Sequence, residues 1–187
     1  LNPVKIRRRF TSAGIEQYGT QIIYIGYLLE NDFQSSALFH QMQENYPLTD
    51  DHMLSREYLK EVSSLSFDEG FPLFPSDLAY FTGLKSLRCT DLPQITELDL
   101  SGNPELTKLV CMGTGIRFLD LTSNTKLESV QLCNNSLSSL NITGLMSLDS
   151  LDCRFNSLVS VDTTGCTVLK DTLFFPQHTC TVNADHA

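Results

Sequence analysis

The residues best placed to do chemistry form a row of short oxygen-bearing side chains that recurs at a regular interval along the chain. The row consists of Asp99, Asp120, Asn141, Asp162 and Asn183, and a hydroxyl follows two positions after each of the first four, at Ser101, Thr122, Thr143 and Thr164. Oxygen ligands of this kind could coordinate a hard cation. Asp and Ser side chains also commonly hold the backbone of the turn that follows them. Since the pattern recurs at every unit, we favour this structural role.

Two other groups of polar residues could be drawn as metal sites. Residues 45–58 carry Asp50, Asp51 and Glu57, but they lack the spaced carboxylates and the glycine of a calcium loop, and Tyr58 stands where a bidentate glutamate is needed. A second group near the end contains His178, Cys180, Asp185 and His186. Its spacing matches no standard transition-metal motif. We therefore predict no metal site and no cofactor.

Neither of the two remaining histidines has a potential catalytic partner near it in the sequence. His40 and His52 lack a neighbouring nucleophile or paired carboxylate in the sequence. We predict no catalytic residues and a chain that is not an enzyme.

The polar row must be positioned by a repeat of 21 or 22 residues that becomes regular near Leu84. Its apolar positions align as Leu84/Leu106/Leu127/Leu148/Leu169, Leu87/Leu109/Val130/Leu151, Ile95/Ile116/Leu137/Leu158, Leu98/Leu119/Leu140/Val161 and Leu100/Leu121/Ile142. A single unit cannot cover its own apolar face and must stack on its neighbours. The repeat therefore predicts a short leucine-rich solenoid of about five 21-residue turns with a parallel β-sheet.

Three of the six cysteines fall in one inward column of this repeat. Cys89, Cys111 and Cys153 share the column, Leu132 holds it in the third unit, and Cys133 is displaced by one position. A buried thiol behaves as a small apolar group, so we predict a structural ladder of free cysteines. Cys166 and Cys180 lie outside the ladder. A disulfide between them that closes the end of the solenoid is one alternative, and two separate thiols are the other.

The motif LxxLxC, followed by a loop and LxxLDLSxN, resembles the cysteine-type leucine-rich repeats of internalin-like proteins and of many Bacteroidetes surface proteins. Residues 83–166 carry this resemblance, most specifically in LDLSGNPELTKL and LDLTSNTKLESV. It implies a secreted or surface-displayed binding module, located outside the cell or on the bacterial surface. A fold alone does not settle a function.

The segments around the repeat are expected to differ from it. Residues 1–30 favour two strands around a turn near Ala13 and Gly14, with a helix over Ile22 to Leu29 as the competing interpretation. Residues 31–82 are interpreted as an N-terminal cap, with helices at about 35–45 and from Ser55, a strand within 63–67, and at most one helical turn in 68–82. Residues 83–187 contain the solenoid and a C-terminal cap, in which Phe174 and Phe175 cover the end of the core. The predicted class is α+β, a solenoid with a helical N-terminal cap.

Side chains that alternate with the buried ones should point outward from the main strands and form the binding surface. The outward columns are Ser86/Lys108/Ser129/Ser150, Arg88/Val110/Gln131/Asp152 and Thr90/Met112/Cys133/Arg154. From them we select Arg88, Lys108, Val110, Met112, Gln131, Asp152 and Arg154 as candidate ligand-binding residues, since Arg and Met are favoured at interfaces.

The net charge and the hydropathy of the chain argue against two classes of function. A net charge of −9 disfavours nucleic-acid binding, which requires a basic face. No stretch reaches the roughly 18–20 apolar residues of a membrane helix, so no membrane insertion is expected. We predict a monomeric recognition module for a protein or glycan ligand, with an adhesive role. The alternative is a spacer domain that displays or docks other modules of a longer surface protein.

Overall fold

The computed structural model of the 187-residue chain describes residues 4–12, 15–23, 27–28, 32–45, 54–174, 177 and 181–183. At its start, strands β1 (Val4–Ser12) and β2 (Ile15–Ile23) form an antiparallel hairpin in which Ser12 pairs with Ile15. Two strands were predicted here and are confirmed, while the turn at Ala13 and Gly14 lies outside the described residues. The competing helix is wrong, because Ile22 and Ile23 continue β2 and β3 (Tyr27–Leu28) follows as a strand.

Two α-helices follow at the positions that the sequence predicted. Helix α1 spans Ser36–Asn45, and helix α2 spans Arg56–Glu61 after the short strand β4 (Leu54–Ser55), which pairs with β3. The Ser55 hydroxyl accepts a hydrogen bond from the amide of Glu57 at 3.2 Å and so begins α2 as an N-cap. A 3-10 helix then spans Pro75–Tyr80, which exceeds the single turn expected in this loop.

Asp77 connects the 3-10 helix to the start of α1. Its side chain is buried, and its two carboxylate oxygens accept hydrogen bonds from the backbone amides of Gln34 at 2.9 Å and Ser35 at 2.8 Å. The Ser35 hydroxyl in turn accepts from the amide of Leu38. The free amides before α1 are thus satisfied by a residue far away in the sequence, which couples this helix to the segment that leads into the repeat.

The repeat forms a parallel-strand solenoid of about five turns with a six-stranded sheet along one side. This sheet, called sheet 1, contains β5 (Ser64–Phe67), β6 (Ser86–Thr90), β7 (Lys108–Met112), β9 (Ser129–Gln131), β11 (Ser150–Asp152) and β13 (Asp171–Leu173), which neighbour one another in that order. Successive strands pair in parallel, as Leu87 with Leu109 and Val130 with Leu151. The predicted strand at 63–67 is confirmed as the first of the sheet.

A second parallel sheet, which the sequence analysis did not separate from the first, runs along another side. Sheet 2 contains β8 (Phe118–Asp120), β10 (Ser139–Asn141), β12 (Ser160–Asp162) and β14 (Thr181–Asn183). Its inward residues, such as Leu119 and Leu140, belong to a column that was predicted only as buried. These strands are too short for an alternating pattern to be recognised in the sequence.

One continuous apolar cluster fills the interior between the two sheets and extends under the helices. All five predicted columns are buried except Leu169, which is partly buried at the last turn. Leu38 of α1 and Leu59 of α2 belong to the same cluster and are fully buried. Phe174 is buried at the far end as expected, whereas Phe175 lies outside the described residues.

Amide side chains tie successive turns together at a corner of the solenoid. Asn135, Asn156 and Gln177, which recur at the period of the repeat, form what we call the amide ladder. The Asn156 amide nitrogen donates to the carbonyls of Leu132 at 2.8 Å and Cys153 at 3.0 Å, and its oxygen accepts from the amide of Leu137 at 3.0 Å. Asn135 and Gln177 also bond the backbone of neighbouring turns. The ladder satisfies backbone groups that the turn leaves without strand partners.

Replacing Asn156 with Ala should lower the free energy of unfolding by about 2–3 kcal/mol, because the buried amide of Leu137 and the carbonyl of Leu132 lose this partner. An unsatisfied buried group costs roughly 1–3 kcal/mol. Urea denaturation followed by circular dichroism measures the change. The exposed neighbour Ser157→Ala is the control, and equal stability of the two variants would contradict the role of the ladder.

Replacing Asp77 with Ala should lower the stability of α1 against local unfolding without affecting the solenoid strands. The variant loses both acceptors for the amides before the helix, and hydrogen bonds to a charged group contribute about 1.5–3 kcal/mol each. We expect faster amide hydrogen exchange across 36–44 and unchanged exchange in strands β7 to β11. The exposed Glu69→Ala variant serves as control. Equal loss of protection along the whole solenoid would show that α1 does not unfold separately.

Candidate functional site

The candidate ligand-binding residues lie along the outward side of sheet 1, which we call the outer face, with Arg154 two residues beyond the end of β11. Arg88, Val110, Gln131 and Asp152 occupy paired positions on four successive strands, and Leu173 continues the same column on β13. Lys108 lies beside Ser86 and Ser129 in the parallel column, and Met112 pairs with Thr90. At a spacing of about 4.8 Å between neighbouring strands, Arg88 and the strand of Asp152 are separated by roughly 14 Å.

Arg154 and Asp152 form a two-pronged ion pair at the later turns of this face. The Arg154 Nε lies 3.0 Å from Asp152 Oδ1 and its Nη2 lies 2.8 Å from Oδ2. Partial burial raises the pKa of Asp152, but the hydrogen bonds and charge of Arg154 outweigh burial, so the net pKa is lowered. The guanidinium is thus held in one orientation, with 37 % of the Arg154 side chain exposed for an external partner.

A second polar cluster lies at the opposite end of the outer face. The Thr90 hydroxyl donates to Asp68 Oδ1, and Arg88 Nε lies 3.8 Å from the same oxygen. Arg88 keeps about half of its side chain exposed. The weaker pairing at 3.8 Å leaves this guanidinium freer to reorient than that of Arg154.

Apolar surface on the outer face is distributed differently from the sequence prediction. Val110 occupies an outward column but is only 4 % exposed, and Met112 and Gln131 are half-buried. Leu173, which the sequence analysis did not select, is 49 % exposed at the last strand of the sheet. Any contact made by the middle of the face therefore uses the polar side chains that surround Val110.

Asp120, Asn141 and Asp162 of the oxygen-bearing row end strands of sheet 2, Asp99 occupies the same position one turn earlier, and these four residues hold the following turns. Asp99 accepts from the amide of Ser101 at 2.9 Å, Asp120 from that of Thr122 at 3.0 Å, and Asp162 from that of Thr164 at 2.9 Å. Asn141 accepts in the same way from Thr143. These contacts are the turn-holding contacts that were favoured in the sequence analysis over a cation site.

The hydrogen bonds within the row also set its protonation. The backbone amides of Ser101 and Thr122, aided by their side chains, lower the pKa of Asp99 and Asp120. For Asp162, the hydroxyl and the amide of Thr164 lower the pKa. Each carboxylate is stabilised in its charged form by the turn that it holds.

The three cysteines of the predicted ladder are buried and form no disulfide. Cys89 pairs with Cys111 across β6 and β7, and Cys153 is equally buried. The hydrogen bond with Cys89, together with complete burial, raises the pKa of Cys111 well above that of an ordinary thiol. Cys166 is also free, and its sulfur donates to the carbonyl of Ile142 at 3.2 Å. Cys180 lies outside the described residues.

Several polar candidates from the sequence are not described. Asp50, Asp51 and His52, and likewise His178, Asp185 and His186, lie outside the described residues. Within the part of the chain that is described, no group of three or more His, Cys, Asp and Glu side chains could hold a metal ion. In the same part, every helix is too short or too polar to cross a bilayer.

A cleft that the sequence analysis missed lies beside the first turn, away from the selected residues. It has a volume of about 720 Å³ and is bounded by the loop before the 3-10 helix and by the segment 94–99. Pro72, Leu73, Phe74, Pro75 and Ile95 give it mainly apolar walls. No sequence signal could have found it, because its two walls come from separate segments of the chain and belong to no regular motif.

Acidification should destabilise the protein partly through the oxygen-bearing row. The pKa values of Asp99, Asp120 and Asp162 are lower in the folded chain than in the unfolded one, so their stabilisation is complete above about pH 5 and is lost as pH falls through the folded values. Changing all three to Asn, the residue found at the same repeat position at Asn141, keeps a side-chain oxygen that accepts from the turn and removes the titrating carboxyl group. We expect a shallower fall of the urea midpoint between about pH 5 and pH 2.

The control for this experiment removes three exposed carboxylates outside the row, with the substitutions Glu128→Gln, Asp149→Asn and Asp171→Asn. If the control and the row variant showed the same acid dependence, the turn contacts would not account for it.

No known family model matches this chain, and no curated protein is significantly similar to it in sequence.

Proposed function

We propose that this chain is a cysteine-type leucine-rich repeat module that recognises a protein or glycan outside a bacterial cell through its outer face. The observation that carries the proposal is the arrangement of Arg88, Lys108 and Gln131 on neighbouring strands of sheet 1, with Arg154 two residues beyond the end of β11. Binding requires little change of shape, because Arg88, Lys108 and Gln131 project from strands that are paired on both sides, and the ion pair with Asp152 holds Arg154. The module is non-enzymatic and acts as a monomer.

The repeat assignment is supported by the spacing and content of the turns. Leu87 pairs with Leu109 and Val130 with Leu151, so each step between strands of sheet 1 matches the period of the sequence repeat. Cysteine or leucine fills the inward position at the end of four successive strands, and amide side chains recur at the corner. In this proposal α1 and α2 form the N-terminal cap, because they cover the apolar end of the first turn.

Recognition is supported by the way in which the outer face presents charge. Arg154 is oriented by Asp152 before any ligand arrives, so little side-chain entropy is lost on binding. Arg88 and Lys108 add two exposed cations on neighbouring strands of a chain whose net charge is −9. The face is small, so affinity is modest for one module and increases when several copies are displayed together.

We expect a ligand found in a screen to lose at least tenfold in affinity when Arg88, Gln131 and Arg154 are changed to Ala. A factor of ten corresponds to a loss of about 1.4 kcal/mol, which truncation of a single central interface residue often exceeds. The screen presents the biotinylated chain as a streptavidin tetramer to extracellular-matrix proteins and a glycan panel. Affinities for hits are then measured with the monomer by surface plasmon resonance.

A matched control changes Arg117, Lys126 and Ser160 to Ala. These residues are exposed and lie outside the outer face, and the control removes two positive charges, as the test variant does. Circular dichroism confirms that both variants fold. A hit that both variants retain would move the recognition site elsewhere. A tetramer that binds nothing would favour the spacer role, in which the domain displays or docks other modules.

A further inference from the structure

The cleft beside the first turn has the size and the lining of a ligand-binding site. Its volume of about 720 Å³ lies within the range of roughly 300–1,000 Å³ that is typical of such sites. Phe74, which contributes to one wall, remains 44 % exposed. An aromatic side chain that is left half in solvent at a concave, mainly apolar surface offers contact area to a partner.

The charges of the cleft select the chemistry of that partner. Glu97 and Asp99 line one wall, and among the described residues no lysine, arginine or histidine lines the cleft. The amide of Ser101 donates to Asp99 Oδ1 at 2.9 Å, and the contacts with Ser101 keep the carboxylate ionised because they lower its pKa. Positive charge on the ligand would therefore be attracted by two carboxylates and opposed by no cation of the lining.

The same wall also offers backbone groups. Segment 94–99 precedes β8, the first strand of sheet 2, by one turn of the solenoid, but it forms no strand itself. Among the described residues, none forms a hydrogen bond with the backbone of Thr96 or Glu97. Unpaired backbone next to the edge of a sheet is the feature that an extended peptide uses when it adds to that edge.

We propose that this cleft binds an extended peptide segment in which an apolar side chain is flanked by lysine or arginine. The apolar side chain packs against Phe74 and the neighbouring prolines Pro72 and Pro75. The basic side chains approach Glu97 and Asp99, and the peptide backbone pairs with the wall at Thr96. This site lies apart from the outer face and is independent of the ligand proposed for it.

The test measures binding of a fluorescein-labelled KFKLK peptide to the full chain by fluorescence anisotropy, with the acidic peptide EFELE in parallel. A double variant, Glu97→Gln with Asp99→Asn, removes both charges, and Asn at this position can still hold the turn as Asn141 does. We expect it to weaken KFKLK binding roughly five- to tenfold, since exposed ion pairs contribute up to about 1 kcal/mol each. Phe74→Ser should weaken binding by about tenfold through lost apolar contact.

The matched control, Glu128→Gln with Asp149→Asn, removes two exposed carboxylates elsewhere and should bind KFKLK as the unmodified chain does. The outer-face variant of Arg88, Gln131 and Arg154 should also retain binding, which separates this site from the proposed function.

Four results would overturn the proposal. Three concern the peptides: equal weakening in the control and in the cleft variant, binding of EFELE as tight as that of KFKLK, and no saturable KFKLK binding up to about 1 mM peptide. Self-association of the chain that Phe74→Ser abolishes would also overturn it, because the occupant would then be a second copy.

Discussion

The stacking of one turn on the next is the constraint on which the rest of this structure depends. A single turn has too little apolar surface to fold alone, so the leucine columns are buried only when turns repeat in register. Parallel pairing in both sheets sets that register, as between Leu119 and Leu140 in sheet 2. Because the sheets and the apolar interior share one spacing, an insertion within a turn would disturb all of them.

The corners of the solenoid are the least favourable part of this arrangement in free energy. The backbone leaves the sheets there, and its amides and carbonyls need other hydrogen-bond partners. The amide ladder meets the need at one corner, where Asn156 contacts backbone groups of its own turn and of the preceding one. In the turns after sheet 2, Asp120 and Asp162 hold their own following turns, and the side-chain amide of Asn124 also donates to the carbonyls of Leu100 and Asn103 in the preceding turn. Corners that are closed by side chains explain how such short strands can remain ordered.

The same constraint shapes the surfaces that are available for binding. On the outer face, regular pairing brings side chains that are far apart in sequence into straight columns, so their identities can vary without disturbing the interior. The cleft arises where regularity stops, since segment 94–99 lacks the strand that later turns have at the same position. A regular sheet and an irregular first turn thus offer two chemically different surfaces on one small protein.

The sequence by itself determined the solenoid, its register, the cysteine column, the helices near 35–45 and after Ser55, and which columns of sheet 1 alternate with the buried ones. It could do so because these features follow from the periods of the strand, the helix and the repeat unit, which a linear pattern records. Only the tertiary structure decided the second sheet, the burial of Val110, the contact of Asp77 with α1 and the cleft. Each of these depends on contacts between segments whose distance in space no local pattern encodes, such as the loop at Phe74 and the wall at Glu97.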